Sequence, residues 1–258
     1  MTVEPAVSAN AAPFRVLETA RLESRPFPTA PSRRQANVEW TLQQCLRQGK
    51  IGALTHVSCV DRRLRPDALD DLASVEYAQL LNVAMHDFDS LRRIFNLQPV
   101  SVIARCTSPS WSLHRHGATT EVFVQLSGEL HLHYYGSLAS NRTEHSLWVE
   151  GQQGVLWTNR ARVWYRKRGW PVFLPLPTRT APADASVRPG GDNSALEAFR
   201  TATLRGQMPD PSQDQIWTLA IVEAVIRSDK TRSAIAVADL FPAAAGSAVA
   251  RPGSRHAT

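Results

Sequence analysis

The sequence has little that would tie it to a redox cofactor, a disulfide scaffold or a membrane. Its 258 residues contain three cysteines, Cys45, Cys59 and Cys106, odd in number and without the spacing of a zinc or redox pair. A disulfide framework is therefore not expected, and a reducing, cytoplasmic setting fits best. No segment approaches about 18 uninterrupted apolar residues, and Met1–Ala12 lacks a basic stretch ahead of a long apolar run, so neither a membrane span nor an export signal is expected. Glycine is also sparse. Nothing in the first 48 residues can form the strand, glycine-rich turn and helix that cradle a pyrophosphate, and the nearest glycines upstream of the central helix are Gly49 and Gly52. The isolated chain is expected to bind neither NAD nor NADP.

What is present is ordinary for one globular domain: 43% hydrophobic and 20% charged residues. The formal net charge is +6, and its densest cluster is Arg160, Arg162, Arg166, Lys167 and Arg168, interleaved with Trp157, Trp164 and Tyr165. Phosphate backbones need clustered cations, and aromatics can stack on single strands. No helix-turn-helix, zinc or single-strand-binding signature accompanies them, so a solvated basic face is the expectation and nucleic acid is not an expected partner.

Residues 1–34 carry Pro5, Pro13, Pro26, Pro28 and Pro31 and read as an extended arm. Asn37 can cap a helix to about Gln48, with Leu42, Cys45 and Leu46 inward and Gly49 at its stop. Thr55–Val60 reads as a strand, and Leu80, Leu81, Ala84, Phe88, Leu91 and Phe95 recur at helical spacing within about Val75–Phe95. Ser101–Cys106 is the next strand. Pro171–Gly191 reads as a connection, Asn193 can cap a helix, and Ser212–Gln215 is a capping box for another. Ala234–Val237 is a last short strand. Residues 35–241 form the single main domain, and 242–258, rich in Ala, Gly, Ser and Pro, form a disordered tail.

Glu121–Leu126 and Leu130–Tyr135 alternate strictly around Ser127-Gly128-Glu129, a hairpin signal. Further strands follow at Ser146–Glu150, Val155–Thr158 and Val163–Arg166. Alternation puts Val122, Val124, Leu126, Leu130, Leu132 and Tyr134 against the helices. The other face carries Glu121, Phe123, Gln125, His131, His133 and Tyr135, too aromatic for bare solvent and too polar for core. Phe123, His131, His133 and Tyr135 are thus candidate interface residues, for a homodimer or for a heteromer; the arm 1–34 could cover the face instead.

Four stretches in order, Asn37–Arg63, Leu80–Ile103, Glu150–Gly154 and Asn193–Val237, resemble the C-terminal half of the glucose-fructose oxidoreductase, inositol dehydrogenase and MocA family. The resemblance implies an α+β fold, a large open and mostly antiparallel sheet with helices on one face, here without the family's Rossmann domain. Family enzymes oxidise or reduce a sugar or polyol hydroxyl with NAD or NADP, using a lysine of the nucleotide domain and an aspartate four residues before a histidine. His86 matches that histidine, Asn82 stands at the aspartate position, and the lysine has no counterpart. An amide cannot hold a proton as a carboxylate does.

The expected site therefore centres on His86 as acid or base and Asn82 as an orienting amide, one helical turn apart; a histidine fixing helix to sheet is the plainer alternative. Asp87 matches a common family residue, and Asp89 can pair with Arg93. Arg92, Arg115, Arg160, Arg162 and Arg166 are candidates to hold an acidic substrate group. No metal is expected, although His114 and His116, or His131 and His133, have the strand spacing to reach one ion with His86 or Glu121. The favoured function is a cofactor-independent enzyme doing dehydration, isomerisation or cyclisation on a small polyol, sugar or specialised metabolite. The alternatives are a non-catalytic accessory subunit of a full-length oxidoreductase, and the substrate half of a split dehydrogenase.

Overall fold

A computed structural model of the chain describes residues 33–64, 75–96, 98–181 and 214–241. Two helices and eight strands come first in the order α1 (Arg33–Arg47), β1 (Leu54–Leu64), a π turn (Leu80–Ala84) leading into α2 (Met85–Phe95), then β2 (Pro99–Thr107), β3 (Thr119–Leu126), β4 (His131–Ser137), β5 (Ala139–Gly151), β6 (Gly154–Thr158), β7 (Val163–Lys167) and β8 (Leu174–Leu176). The helix α3 (Asp214–Thr231) and the short β9 (Ile235–Ala236) close the described chain.

All nine strands join one sheet in the order β8-β7-β6-β5-β1-β4-β3-β2-β9. Every pairing is antiparallel except β1 with β4. The connection from β4 to β5 is a single residue, Leu138, yet the two strands flank β1 and do not pair with each other. The helices cover one face, giving an α+β fold with a large open sheet. Val122, Val124, Leu126, Leu132 and Tyr134 all point to the helices, as their alternation requires. Phe88 of α2 packs on Tyr134 with ring centroids 4.9 Å apart; burying such a side chain is worth about 1.5–3 kcal/mol.

Several boundaries differ from those expected. α1 starts at Arg33, because Arg33–Ala36 are good helix formers with nothing to stop them. Asn37 is then inside the helix, and its Oδ1 accepts from the Ala181 amide at 2.8 Å. The second helix begins at Ala78, after Tyr77 turns the chain at φ 57°. β1 runs on to Leu64. The Pro171–Gly191 connection contains β8, whose Pro175 pairs opposite Trp164; an edge strand tolerates a residue with no N–H to donate. The arm over residues 1–32, the helix from Asn193 and the tail from 242 lie outside the described residues. No helix among the described residues is long and apolar enough to cross a membrane.

Candidate functional site

The inward face of a central strand should be apolar, and β1 begins that way with Val57 and Cys59 before placing Asp61 at the next inward position. Asp61 is fully buried, and Arg63 of the same face grips it with Nε at 2.5 Å and Nη2 at 2.9 Å. Arg160, in the β6–β7 turn at φ 69°, reaches under the sheet and donates to Asp61 Oδ2 at 2.8 Å and to Asp87 Oδ1 of α2. The other Asp87 oxygen accepts from Tyr134 at 3.0 Å, and Tyr134 in turn accepts from Gln79 Nε2 at 2.9 Å. A continuous polar chain thus links Gln79 ahead of the π turn, the first turn of α2 and three parts of the sheet. Gly136 makes it possible: a Cβ there would overlap the Gln79 amide and come within 2.7 Å of the Tyr134 hydroxyl.

Burial sets the proton states around this chain. It pushes the Cys59 thiol up to about 12, against the nearby Arg160 charge, and the Tyr134 phenol well above its ordinary value. Burial also lowers His145 to about 4, with Asp61 opposing. His145 is therefore neutral at neutral pH, and its 4.0 Å approach to Asp87 is not an ion pair there. Between the sheet, α1 and α2 lies a cavity lined by Leu42, Cys59, Asp87, Leu91, His145 and Thr158 among others, with about 20 Å³ open to a water's centre, room for a water or two but not a sugar.

The helix stripe holding Asn82 and His86 points elsewhere. Asn82, His86, Ser90 and Arg93 are half-exposed, as are Leu81 and Phe95, on a helix whose other residues from Ala78 to Ile94 are buried; the four-residue spacing sets Asn82 and His86 one turn apart. Neither lines the cavity beneath the sheet. The Asn82 amide donates to Ala78 O at 2.8 Å within its own helix. Further along the stripe, Ser90 and Arg93 engage Glu39 of α1, with Arg93 Nη2 at 2.9 Å, and Arg93 also pairs with Asp89 at 2.5 Å.

The candidate arginines are scattered. Arg92 is buried on α2, Arg115 is exposed in the loop before β3, and Arg162 is exposed at the β6–β7 turn. Arg160 is committed beneath the sheet, while Arg166 lies on the open face, its guanidinium 4.8 Å from the Phe173 ring and 5.6 Å from Trp148. The histidine pairs do not make ligand sets: His114 is buried while His116 is exposed, and His133 stacks on Phe123 at 4.4 Å and meets Glu121 at 3.2 Å. Among the described residues the only group of three ligand side chains that converge is Cys59, Asp87 and His145. None of the three was assigned a role from sequence, although Asp87 stood out as matching a common family residue. The inward charge at Asp61, two residues beyond Cys59 in an alternating strand, was the legible signal.

Across the open face runs a row of aromatics: Phe123, 52% exposed, on His133; Tyr135 under Arg62; and Trp148, Trp157, Trp164 and Phe173, with the Trp157 and Trp164 rings stacked 4.2 Å apart. A nucleotide cradle is not among the described elements. β1 is followed by a helix, but no glycine stands between Gly52 and Gly117 to make the turn that lets a pyrophosphate approach the backbone.

Residues 40–157 match the GFO/IDH/MocA C-terminal domain, from within α1 to Trp157 of β6. No curated protein matches the chain. Among solved structures, an oxidoreductase domain protein from Kribbella flavida superposes with a TM-score of 0.57 at 16% identity, covering 79% of this chain and 64% of its own. The aldose-aldose oxidoreductase of Caulobacter crescentus, complexed with glycerol, does so at 0.57 and 15%, over 88% and 68%. An Agrobacterium radiobacter oxidoreductase in complex with NAD+, L-tartaric acid and magnesium reaches 0.60 at 15%, over 92% and 72%. This chain thus spans about two-thirds of the length of these proteins, and identities so low speak for the fold alone. The chain carries, over residues 40–157, a domain of the GFO/IDH/MocA C-terminal type.

Proposed function

We propose that the chain is an accessory subunit: a GFO/IDH/MocA C-terminal-type domain that docks through its open sheet face onto a full-length oxidoreductase carrying the same kind of domain. The observation that carries this reading is the row of aromatics and cations on the open face from Phe123 to Trp164, with Phe123 52% and Ile103 47% exposed and the other rings half-exposed. Aromatic area ringed by Arg and His is what protein interfaces select, and a second sheet of like twist is its natural complement. The consumption of the interior carboxylates supports the same reading, since Asp61 and Asp87 are held by Arg63, Arg160 and Tyr134 rather than left for a substrate.

Purification of the tagged full chain from its own host tests this. The expected result is a heteromer with a longer oxidoreductase, released by Phe123→Glu. Recovery of a homodimer alone would overturn it. A second reading, cofactor-independent proton transfer with His86 as acid or base and Asn82 orienting the substrate, draws on their shared half-exposed stripe. It takes over if the homodimer turns over a polyol or sugar without NAD(P) and His86→Ala abolishes that turnover. A split dehydrogenase would instead require a partner that binds NAD(P) and is inactive without this chain.

A further inference from the structure

Three core-facing positions bring a thiol, an imidazole and a carboxylate to one point beneath the sheet. Cys59 Sγ of β1 lies 3.7 Å from His145 Nε2 of β5, and Asp87 Oδ1 of α2 lies 4.0 Å from that same nitrogen. The three ligand atoms are all within 4.8 Å of one another. An acid–base relay would place its nucleophile and its carboxylate on opposite ring nitrogens. Here both face Nε2, while Nδ1 is buried with no hydrogen-bond partner among the described residues. Cys59 is also 1% exposed, so no substrate can reach it as a nucleophile. Convergence of sulfur, nitrogen and oxygen on a shared point is instead the arrangement that an ion requires, and this mixture of donors suits zinc(II) and its neighbours.

We propose that Cys59, His145 and Asp87 form a binding site for a divalent transition metal of the zinc class, between the sheet and α2. Zinc bonds of about 2.0–2.3 Å at tetrahedral angles hold such donors about 3.3–3.6 Å apart. The sulfur–nitrogen spacing of 3.7 Å is nearly that already, and with all three atoms within 4.8 Å of one another the carboxylate closes by about 1.5 Å at most. The small cavity bordered by all three residues admits a water as fourth ligand. Arg160 competes for the same oxygen of Asp87 and is also anchored on Asp61 at 2.8 Å. The metal therefore displaces the guanidinium from Asp87 and leaves it on Asp61. The thiol proton goes to solvent as the thiolate takes the ion.

The full chain, stripped with chelator and titrated with cobalt(II) and then zinc(II), tests the site. One equivalent of cobalt should give a thiolate-to-cobalt charge-transfer band and the strong visible bands of a tetrahedral ion, both lost when zinc displaces it. Cys59→Ser should abolish the charge-transfer band, Cys45→Ser and Cys106→Ser should keep it, and zinc should raise the melting temperature of the native chain but not of Cys59→Ser. If Cys59→Ser does not fold, His145→Gln must weaken the visible bands. Absence of the stoichiometric bands, or their persistence unchanged in Cys59→Ser or His145→Gln, overturns the proposal.

Discussion

A buried carboxylate is tolerable only when its neighbours replace water, and Asp87 shows how many neighbours that takes. One oxygen meets Arg160 and the other the Tyr134 hydroxyl, which Gln79 holds in place. The approach of Gln79 depends on the missing side chain of Gly136. Gly136→Ala should therefore cost about 2–4 kcal/mol, the sum of a steric displacement and a broken buried hydrogen bond. Chemical denaturation measures it, and a loss below about 0.5 kcal/mol, within the range of an ordinary surface change, would show that Gln79 has another way to pack. Little of this cluster was legible in the sequence. Asp61, Asp87, His145 and Arg160 are far apart along the chain, and nothing local marks an arginine in a turn as one that folds inward. His86 and Asn82 were conspicuous because the family resemblance implies a pair of residues four apart at those positions; a cross-sheet ion pair leaves no such mark in a string of letters.

At the scale of elements, α3 does for β2 what a neighbouring strand would. β9 pairs only with Ser101 and Val102, so beyond them the outward amides of β2 need other acceptors. Ser228 Oγ accepts from the Ala104 amide at 2.9 Å, and Asp229 Oδ1 from the Cys106 amide at 2.9 Å. Ser228→Ala should cost about 1–3 kcal/mol by leaving a buried N–H unsatisfied, and native-state hydrogen exchange should report it as faster exchange at Ala104; unchanged exchange there would refute the link. Glu223, on the same helix, is buried with Arg227 as partner at 2.7 Å, and burial raises its pKa above 4.5. The folded state then binds more protons than the unfolded state from about pH 4.5 up to the raised value, so stability falls as pH rises through that window. Glu223→Gln should be more stable than the native chain at neutral pH, with the gap closing below about pH 4.5. Thermal melts across that range check it, and a gap independent of pH would count against burial as the cause. These helices were legible where apolar residues recur at helical spacing. β8 was not, because Pro175 hides an edge strand inside what reads as a connection.

For the whole molecule, alternation within β3 and β4 was enough to orient the sheet, since a one-residue slip would put charge in the core. The order of the strands was not available from any local pattern. β1 lies between β4 and β5, strands that follow one another with only Leu138 between them. No hairpin can build that centre, because its two pairings join residues 54–64 to residues 131–151. The rest of the sheet must wait with a slot in it, and folding should be slow relative to a meander of equal size. Such a slot is also a receptor. A chain cut between Leu64 and Val75 yields one piece ending in β1 and another holding the strands on either side, and the two halves should recombine when coexpressed. Copurification on a tag carried by the shorter half would read this out, and Asp61→Lys in that half should prevent it by setting a third cation against Arg63 and Arg160. The centre of this sheet thus supplies a ready division of the protein into two mutually dependent parts, a basis for a split reporter whose assembly depends on buried charge.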